Sequence, residues 1–429
     1  VRPALVSLIA CNPSFQHSKF LESFSKLDPR GPDESIVFQT MGCSFGFTRL
    51  SINDVSSLGM QPFETENFIF MCNGEIYNYK FLCSKFNFTL KSRSDCEIIP
   101  HLIERFGIES TLGMLDGVYA FMYYDKTKEE YIVARDPVGI KSLYYGYDMG
   151  KGNNRKSFGV SSELKALTSL YESVKMFPSG YYYKSRTRLF LNFKTFDFFP
   201  NCNQLVCETD RQKLQVHLRK LIEKCVHKRC MMTDRPFGCF LSGGFDSSIV
   251  ASIVSRYMTS HKLGKLKTFS VGMKGATDLS AARELSEYIG SDHHELVVTE
   301  KEMLQAIPMV IRRIESYDTT TVRASTGMVL LSDWIKTNFN TTVIFSGEGA
   351  DELSGSYRYF NNAPSPESVQ LECIRLLNDL QYFDVLRCDK SVSGSGLEAR
   401  TPLLDCEFIK FYMNLDPKLK DNAIIEKKL

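Results

Sequence analysis

Hydrophobic and polar positions follow two different rhythms along this chain, and the change falls near residue 208. Before it, short runs rich in aromatic and β-branched residues alternate with turn signals. Gly117-Val-Tyr-Ala-Phe-Met-Tyr-Tyr124 and Tyr131-Ile-Val-Ala134, joined by the turn-like Asp125-Lys-Thr-Lys128, predict a β-hairpin. Leu5-Val-Ser-Leu-Ile-Ala10 predicts a further strand, and turns are expected at Arg30-Gly-Pro-Asp33, Asp136-Pro-Val-Gly139 and Phe177-Pro-Ser-Gly180. Beyond it, Leu214, Val216, Leu218, Leu221, Ile222 and Val226 fall near helical spacing, which predicts an amphipathic helix over Thr209–Lys228. Apolar runs then alternate with helical stretches: Gly238–Leu241, Lys267–Val271 and Thr342–Phe345 each precede a helix-like segment. That alternation predicts parallel βαβ units. The boundary is expected between residues 196 and 210, giving domains over 1–203 and 204–429.

Composition narrows the class without choosing a function. The 429 residues are 43% hydrophobic and 24% charged, as in ordinary soluble globular enzymes. With 52 basic and 50 acidic residues the net charge is +2, which argues against a nucleic-acid-binding surface. No apolar run reaches the ~20 residues of a membrane span. The 13 cysteines are irregularly spaced and no signal peptide precedes them, so reduced thiols in the cytoplasm are expected. Cys202 with Cys207, and Cys225 with Cys230, lack the short knuckle that zinc sites favour and read as ordinary thiols.

Candidate chemistry clusters in a few segments. In Phe240-Leu-Ser-Gly-Gly-Phe-Asp-Ser-Ser248 a strand end runs into a glycine turn that opens a helix. Gly243 and Gly244 let the backbone approach a ligand, successive N–H groups make an anion nest, and the hydroxyls of Ser242, Ser247 and Ser248 add donors. Asp246 is placed to hold Mg²⁺ between phosphates. The loop carries no Lys, so it is not a P-loop; it resembles the pyrophosphate loop of ATP pyrophosphatases. Phe345-Ser-Gly-Glu-Gly-Ala-Asp-Glu352 again follows an apolar run, and its carboxylates are costly unless a cation meets them. Between the two loops, Thr320, Thr321 and Arg323 combine hydroxyls with a guanidinium suited to carboxylate or phosphate, although the segment also reads as a turn with a surface Arg. In the N-terminal half, Asn73 and Gly74 could form an oxyanion hole, Arg49 could clamp an α-carboxylate and Asp95 an α-ammonium. Asn-Gly in a strand-rich region is equally a hairpin-turn signal.

Arg30-Gly-Pro-Asp33, Arg49-Leu50-Ser51, Asn73-Gly-Glu-Ile-Tyr-Asn78, Ser94-Asp95, Ala134-Arg-Asp-Pro-Val-Gly139 and Ser162-Glu163 together resemble a class II glutamine amidotransferase domain. Joined to Ser242–Ser248, Ser346–Glu352 and Gly396-Leu-Glu-Ala-Arg-Thr-Pro-Leu-Leu-Asp405, they make the chain similar to glutamine-hydrolysing asparagine synthetases along essentially its whole length. The resemblance implies a two-domain protein of mixed α+β and α/β class. The first domain would be an αββα N-terminal-nucleophile sandwich, the second a doubly wound parallel sheet of the ATP pyrophosphatase type.

It further implies glutamine binding by Arg49, Leu50, Ser51, Ile52, Asn53, Asn73, Gly74, Glu75 and Asp95, with Asn73 and Gly74 on the oxyanion. ATP would meet Phe240, Leu241, Ser242, Gly243, Gly244, Asp246, Ser247, Ser248, Val271, Ser346 and Gly347. Aspartate and pyrophosphate would meet Thr320, Thr321, Arg323, Glu348 and Asp351, and Mg²⁺ would sit on Asp246 and Asp351. ATP and Mg²⁺ are the implied cofactors, small molecules the partners, and a homodimer the assembly. The chemistry is coherent: a carboxylate is a poor acyl donor, and adenylation supplies a good leaving group.

The chain departs from the family at both ends. Val1 stands where the family carries its nucleophilic Cys, and Cys11 has no α-amine to act as base. The family continues past Asn422–Leu429 into a stretch with a lysine thought to stabilise adenylation, and Lys427 and Lys428 lack that context. The C-terminal domain therefore reads as truncated. An ammonia-dependent synthetase, a related adenylating ligase of the β-lactam synthetase kind, and an inactive nucleotide-binding paralogue stay open as alternatives.

Overall fold

The computed structural model describes residues 7–11, 17–40, 42–149, 155–193 and 211–420. Val1, Cys202, Cys207, Lys427, Lys428 and the expected domain boundary lie outside them. The N-terminal half begins β1 (Ser7–Cys11), α1 (His17–Ser25), β2 (Glu34–Thr40), β3 (Cys43–Arg49), β4 (Phe63–Glu64) and β5 (Phe68–Ile76). It continues α2 (Tyr79–Phe86), α3 (Ile98–Met114), β6 (Gly117–Asp125), β7 (Glu130–Arg135), β8 (Tyr144–Met149), β9 (Arg155–Ser161), β10 (Ser173–Met176), β11 (Tyr181–Lys184) and β12 (Leu189–Asn192).

Two six-stranded sheets form, ordered β10-β8-β9-β1-β3-β2 and β12-β11-β7-β6-β5-β4. The expected hairpin is β6–β7, antiparallel with Tyr124 opposite Tyr131. Side chains that alternate along β3, β5 and β6 divide between two cores, as the period of two requires. Phe45, Phe47, Ile69, Met71, Ala120 and Met122 fill the space between the sheets. Phe70, Cys72, Tyr119 and Phe121 face the other way, onto Leu82 of α2 and Ile99, Leu102 and Ile103 of α3. Phe20 and Phe24 of α1 pack against Tyr144 and Leu167 on the outer face of the first sheet. Four layers, α-β-β-α, result.

The C-terminal half runs α4 (Arg211–Cys230), β13 (Phe237–Phe240), α5 (Phe245–Ser260), β14 (Lys267–Met273), α6 (Thr277–Ile289), β15 (Asp292–Val298), α7 (Glu300–Ile314) and α8 (Thr319–Asn338). It then adds β16 (Val343–Phe345), α9 (Ala350–Ser354), α10 (Pro366–Asp379), α11 (Asp384–Ser393), β17 (Glu398–Arg400) and α12 (Cys406–Met413). The five strands are all parallel, in the order β15-β14-β13-β16-β17. Helices cover both faces. Leu218 and Val226 of α4 and Val250 and Val254 of α5 join one core, while Leu331 and Ile335 of α8 and Val392 of α11 join the other. A sheet buried on both faces explains the continuous apolar strands seen in the sequence. Cys225 and Cys230 are buried thiols on α4, and burial pushes both up, Cys230 to about 12.

The halves meet across buried charge. Arg30 donates to Glu163 at 2.7 Å and to Asp389 of α11 at 3.0 Å. Lys390 of α11 reaches Glu163 at 3.1 Å and pairs with Glu315. Lys141 meets Glu398 of β17 at 3.2 Å. Each of these ions is nearly inaccessible to water, and each is paired, as the desolvation penalty demands.

Candidate functional site

A cavity of about 570 Å³ opens at the carboxyl ends of β13, β14 and β16. The chain leaves β13 for β14 on one side and reaches β16 on the other, so the crevice lies where the strand order reverses, the usual ligand position in such sheets. After β13 the chain turns through Leu241–Gly244 into α5. Gly243 has φ +78°, and a side-chain carbon there would come within 2.4 Å of Ala281. The turn therefore needs glycine both for conformation and for space. Ser247 and Ser248 donate their hydroxyls to the Gly244 carbonyl at 3.1 and 2.6 Å, and Ser242 and Ser247 lie 3.1 Å apart. The loop is thus braced by its own hydroxyls around the open helix N-terminus. After β16 the second loop lies directly on the first: a carbon added at Gly347 would stand 2.8 Å from the backbone of Asp246 and Ser247.

Phe240, Leu241, Ser242, Gly244, Asp246, Ser247, Val271, Arg323, Ser346, Gly347, Glu348 and Asp351 all line the cavity. Separate sequence segments between Phe240 and Asp351 are therefore gathered into one chamber. Gly243 and Ser248 stand behind the lining, shaping the turn. Thr320 and Thr321 stand apart from the other expected residues. They belong to the first turn of α8, where Asp318 is the N-cap and accepts from both the N–H and the hydroxyl of Thr321 at 2.8 Å. Neither lines the cavity; Thr320 is exposed and Thr321 buried. The segment is a helix start rather than a turn, because the capping carboxylate takes the hydroxyl first.

Sequence reasoning missed Asp278, Tyr357, Asp384 and Arg387, which line the chamber together with Glu352 of the acidic motif. The Arg387 guanidinium donates to Glu348 at 2.5 Å and meets Asp384 at 3.0 Å. Burial pushes the Glu348 carboxyl up, against the pull of Arg387. Glu352 accepts from the Tyr357 hydroxyl, and burial together with Asp384 raises its carboxyl to about 7. Only the acidic motif hinted at this; α11 carries no motif of its own. Among the described residues no three His, Cys, Asp or Glu side chains form a ready metal cage. Mg²⁺ needs none: one or two carboxylates plus phosphate oxygens suffice, and Asp246 and Asp351 present all-oxygen donors to one space.

The N-terminal candidates meet in a second, smaller pocket. Arg49, Leu50, Ile52, Asn53, Asn73, Gly74, Glu75 and Asp95 line it, with Gly59, Gln61, Cys96 and Glu398. Asn73-Gly74 is no hairpin turn. It lies within β5, opposite Ala120 and Tyr119 of β6, and a carbon at Gly74 would strike the Val118 carbonyl at 2.3 Å. The Asn73 amide nitrogen is buried with no hydrogen-bond partner among the described residues, which leaves a donor facing the pocket. Asp95 accepts from Asn53 at 3.0 Å and from the Ile76 N–H at 2.6 Å, and burial nevertheless raises its carboxyl. Arg49 donates to the Asp54 and Ser56 carbonyls at 2.6 and 2.9 Å, which fixes its guanidinium beside the pocket. Ser51 does not line it: its N–H turns to Asp33 and its carbonyl to Arg235. The backbone of Cys11 lies at the end of β1, opposite Ser44 and Gly159.

A four-layer sandwich with one polar pocket, joined to a parallel sheet with a glycine-loop chamber at its strand ends, is the arrangement expected of a two-site amidotransferase. The asparagine synthase family pattern matches residues 217–369 and 361–429, and that of the glutamine amidotransferase domain matches 6–187. "Asparagine synthetase [glutamine-hydrolyzing] 1" of Lotus japonicus is 40% identical over 99% of this chain and 72% of its own length. The asparagine synthetase of Gallus gallus is 39% identical over 93% of this chain and 74% of its own. The probable asparagine synthetase of Acanthamoeba polyphaga mimivirus is 38% identical, over 95% and 77% respectively. The chain belongs to the asparagine synthase family.

Proposed function

We propose that the protein makes asparagine by ATP-dependent amidation of aspartate, with the C-terminal half as synthetase and the N-terminal half as the source of ammonia from glutamine. The observation that carries this reading is the contact between the two glycine loops at the ends of adjacent parallel strands, β13 and β16, around one chamber. The adenine would lie against Phe240, Leu241 and Val271, and the phosphates on the Ser242–Ser248 turn. Asp246 and Asp351 would hold Mg²⁺, which screens phosphate charge when bound. Arg323 would meet the remaining anionic groups of the substrates.

The side-chain carboxylate of aspartate attacks the α-phosphorus of ATP, pyrophosphate leaves, and a β-aspartyl adenylate forms. Ammonia then attacks the acyl carbon, AMP leaves, and a proton is lost to give the amide. Here the chain's own residues position and exclude water rather than form covalent bonds. In the N-terminal half, Arg49 and Asp95 would take the two charged ends of glutamine, and the orphaned Asn73 amide the developing oxyanion. That unused donor favours an amide substrate over the cyclising ligases, which have no need of one. No helix of the described residues is long and apolar enough to cross a membrane. The described cysteines form no disulfide, which suits a cytoplasmic enzyme.

The test supplies ATP, Mg²⁺ and aspartate with either ammonia or glutamine, and measures pyrophosphate and asparagine. Both products in a one-to-one ratio are expected with ammonia. ATP binding without asparagine formation from either donor would sink the reading as a synthetase.

A further inference from the structure

One strand of the C-terminal half reaches both sites. β17 is three residues long, Glu398-Ala399-Arg400, and pairs in parallel with β16. The Arg400 carbonyl accepts from the Ser346 N–H at 2.9 Å, at the start of the acidic loop of the synthetase chamber. The side chains of β17 go elsewhere. Glu398 lines the N-terminal pocket, the one residue of the C-terminal half to do so among the described residues. The Arg400 guanidinium crosses the interface to Glu75, next to Asn73 and Gly74 on β5. Its remaining N–H groups are used by Glu398 at 3.0 Å and by the Arg229 and Met232 carbonyls. Glu398 in turn takes Lys141 of the N-terminal half at 3.2 Å.

We infer that Arg400 and Glu398 are positioning residues for the amide-donor pocket, fixing the oxyanion strand Asn73-Gly74-Glu75 from the other half of the chain.

Three observations support the assignment, which rests on the reading of that pocket as a glutamine site. First, Glu75, Glu398, Arg400 and Lys141 are all at least 95% buried, so their geometry is set by one another rather than by water. Second, Arg400 bonds Glu75 Oε1 and the Glu398 carboxyl shares a hydrogen bond with that of Glu75, so both charged residues of β17 hold Glu75 in place. Third, the charges are interlocked. Burial works against the Glu398 charge, but Lys141 and Arg400 hold its carboxyl at about 2. Burial pushes the Glu75 carboxyl well up, opposed by Arg400 and reinforced by Glu398. Removing one member therefore re-aims its neighbours, and the neighbour nearest the oxyanion position is Glu75.

Calorimetric titration of the full chain with glutamine, and separately with ATP and Mg²⁺, tests this in wild type, Arg400→Lys and Glu398→Gln. Arg400→Lys keeps the charge and loses the fork; Glu398→Gln keeps the shape and loses the charge. Glutamine affinity should fall about tenfold or more in both, with ATP affinity within about twofold of wild type. Unchanged glutamine affinity overturns the inference, as does an equal fall in both affinities with a lower Tm, the mark of a merely structural role. Should neither variant fold, hydrogen exchange on the wild type decides: saturating glutamine should slow exchange at residues 398–400 as well as 73–75, and no change at 398–400 overturns it. A wild type that binds ATP but not glutamine removes the glutamine reading of the pocket, and the inference with it.

Discussion

At the scale of single residues, the site is built from groups that would be liabilities anywhere else. The Asn73 amide is buried and unsatisfied, at a cost of about 1–3 kcal/mol. In the proposed reading that cost is tolerated because the donor is wanted when an oxyanion forms. Asn73→Ala should therefore lower asparagine formation from glutamine about 100-fold, with a far smaller effect when ammonia is supplied. Arg387 is shared by Glu348 and Asp384 in the chamber wall. Arg387→Met leaves two partly buried carboxylates facing each other. It should cost about 3 kcal/mol of stability in denaturant titration and abolish pyrophosphate release.

At the scale of elements, the chemistry depends on turns that admit no side chain. Gly243 sits at φ +78° with Ala281 against it. Gly243→Ala should weaken ATP binding at least tenfold, because strain and collision of about 1–3 kcal/mol displace the loop. ATP titration of the variant checks this, and unimpaired binding would count against the loop. The same glycines were what made these elements readable. A strand running into Ser-Gly-Gly, or into Ser-Gly-Glu-Gly, states its own geometry locally, and β13, β14, β16 and the β6–β7 hairpin fall where periodicity puts them. Asn73-Gly74 reads locally as a turn and is a strand, since pairing with β6 along nine residues outweighs the local preference. Thr321 stands away from the chamber lining, its N–H and hydroxyl both taken by the N-cap Asp318. Asp384 and Arg387 could not be read at all, because α11 comes to the chamber only through tertiary packing. Similarity of the longer motifs, rather than periodicity, supplied the layer order of the first half.

At the scale of the molecule, stability and function share the interface between the halves. Asp405, the N-cap of α12, meets Arg229 and Lys228, each at 2.6 Å. Burial opposes its charge, yet Arg229 and Lys228 lower its carboxyl from 3.8 to about 2. A depressed carboxyl contributes stability that is complete above pH 3.8 and lost as pH falls through 2. Melting temperature against pH should fall across that window in wild type. In Asp405→Asn this acid limb should flatten, while stability at neutral pH drops by about 2 kcal/mol. A limb unchanged by the substitution would assign the acid transition to other carboxylates. Lys228 and Arg229 also lie over the Tyr77 ring, 5.3 and 4.5 Å from its centre, so the same cations tie α4 to the N-terminal half.

The interface has a consequence for how the chain is made. Arg30, Glu75, Lys141 and Glu163 emerge from the ribosome early, while their partners Asp389, Arg400, Glu398 and Lys390 come 227 to 359 residues later. At bacterial or eukaryotic elongation rates that is an interval of about 10–70 seconds. For that time the first half must stand with its charged face in water, its sheets already closed but its amide pocket missing a wall. The last strand of the parallel sheet to be synthesised is thus the one that completes the N-terminal pocket.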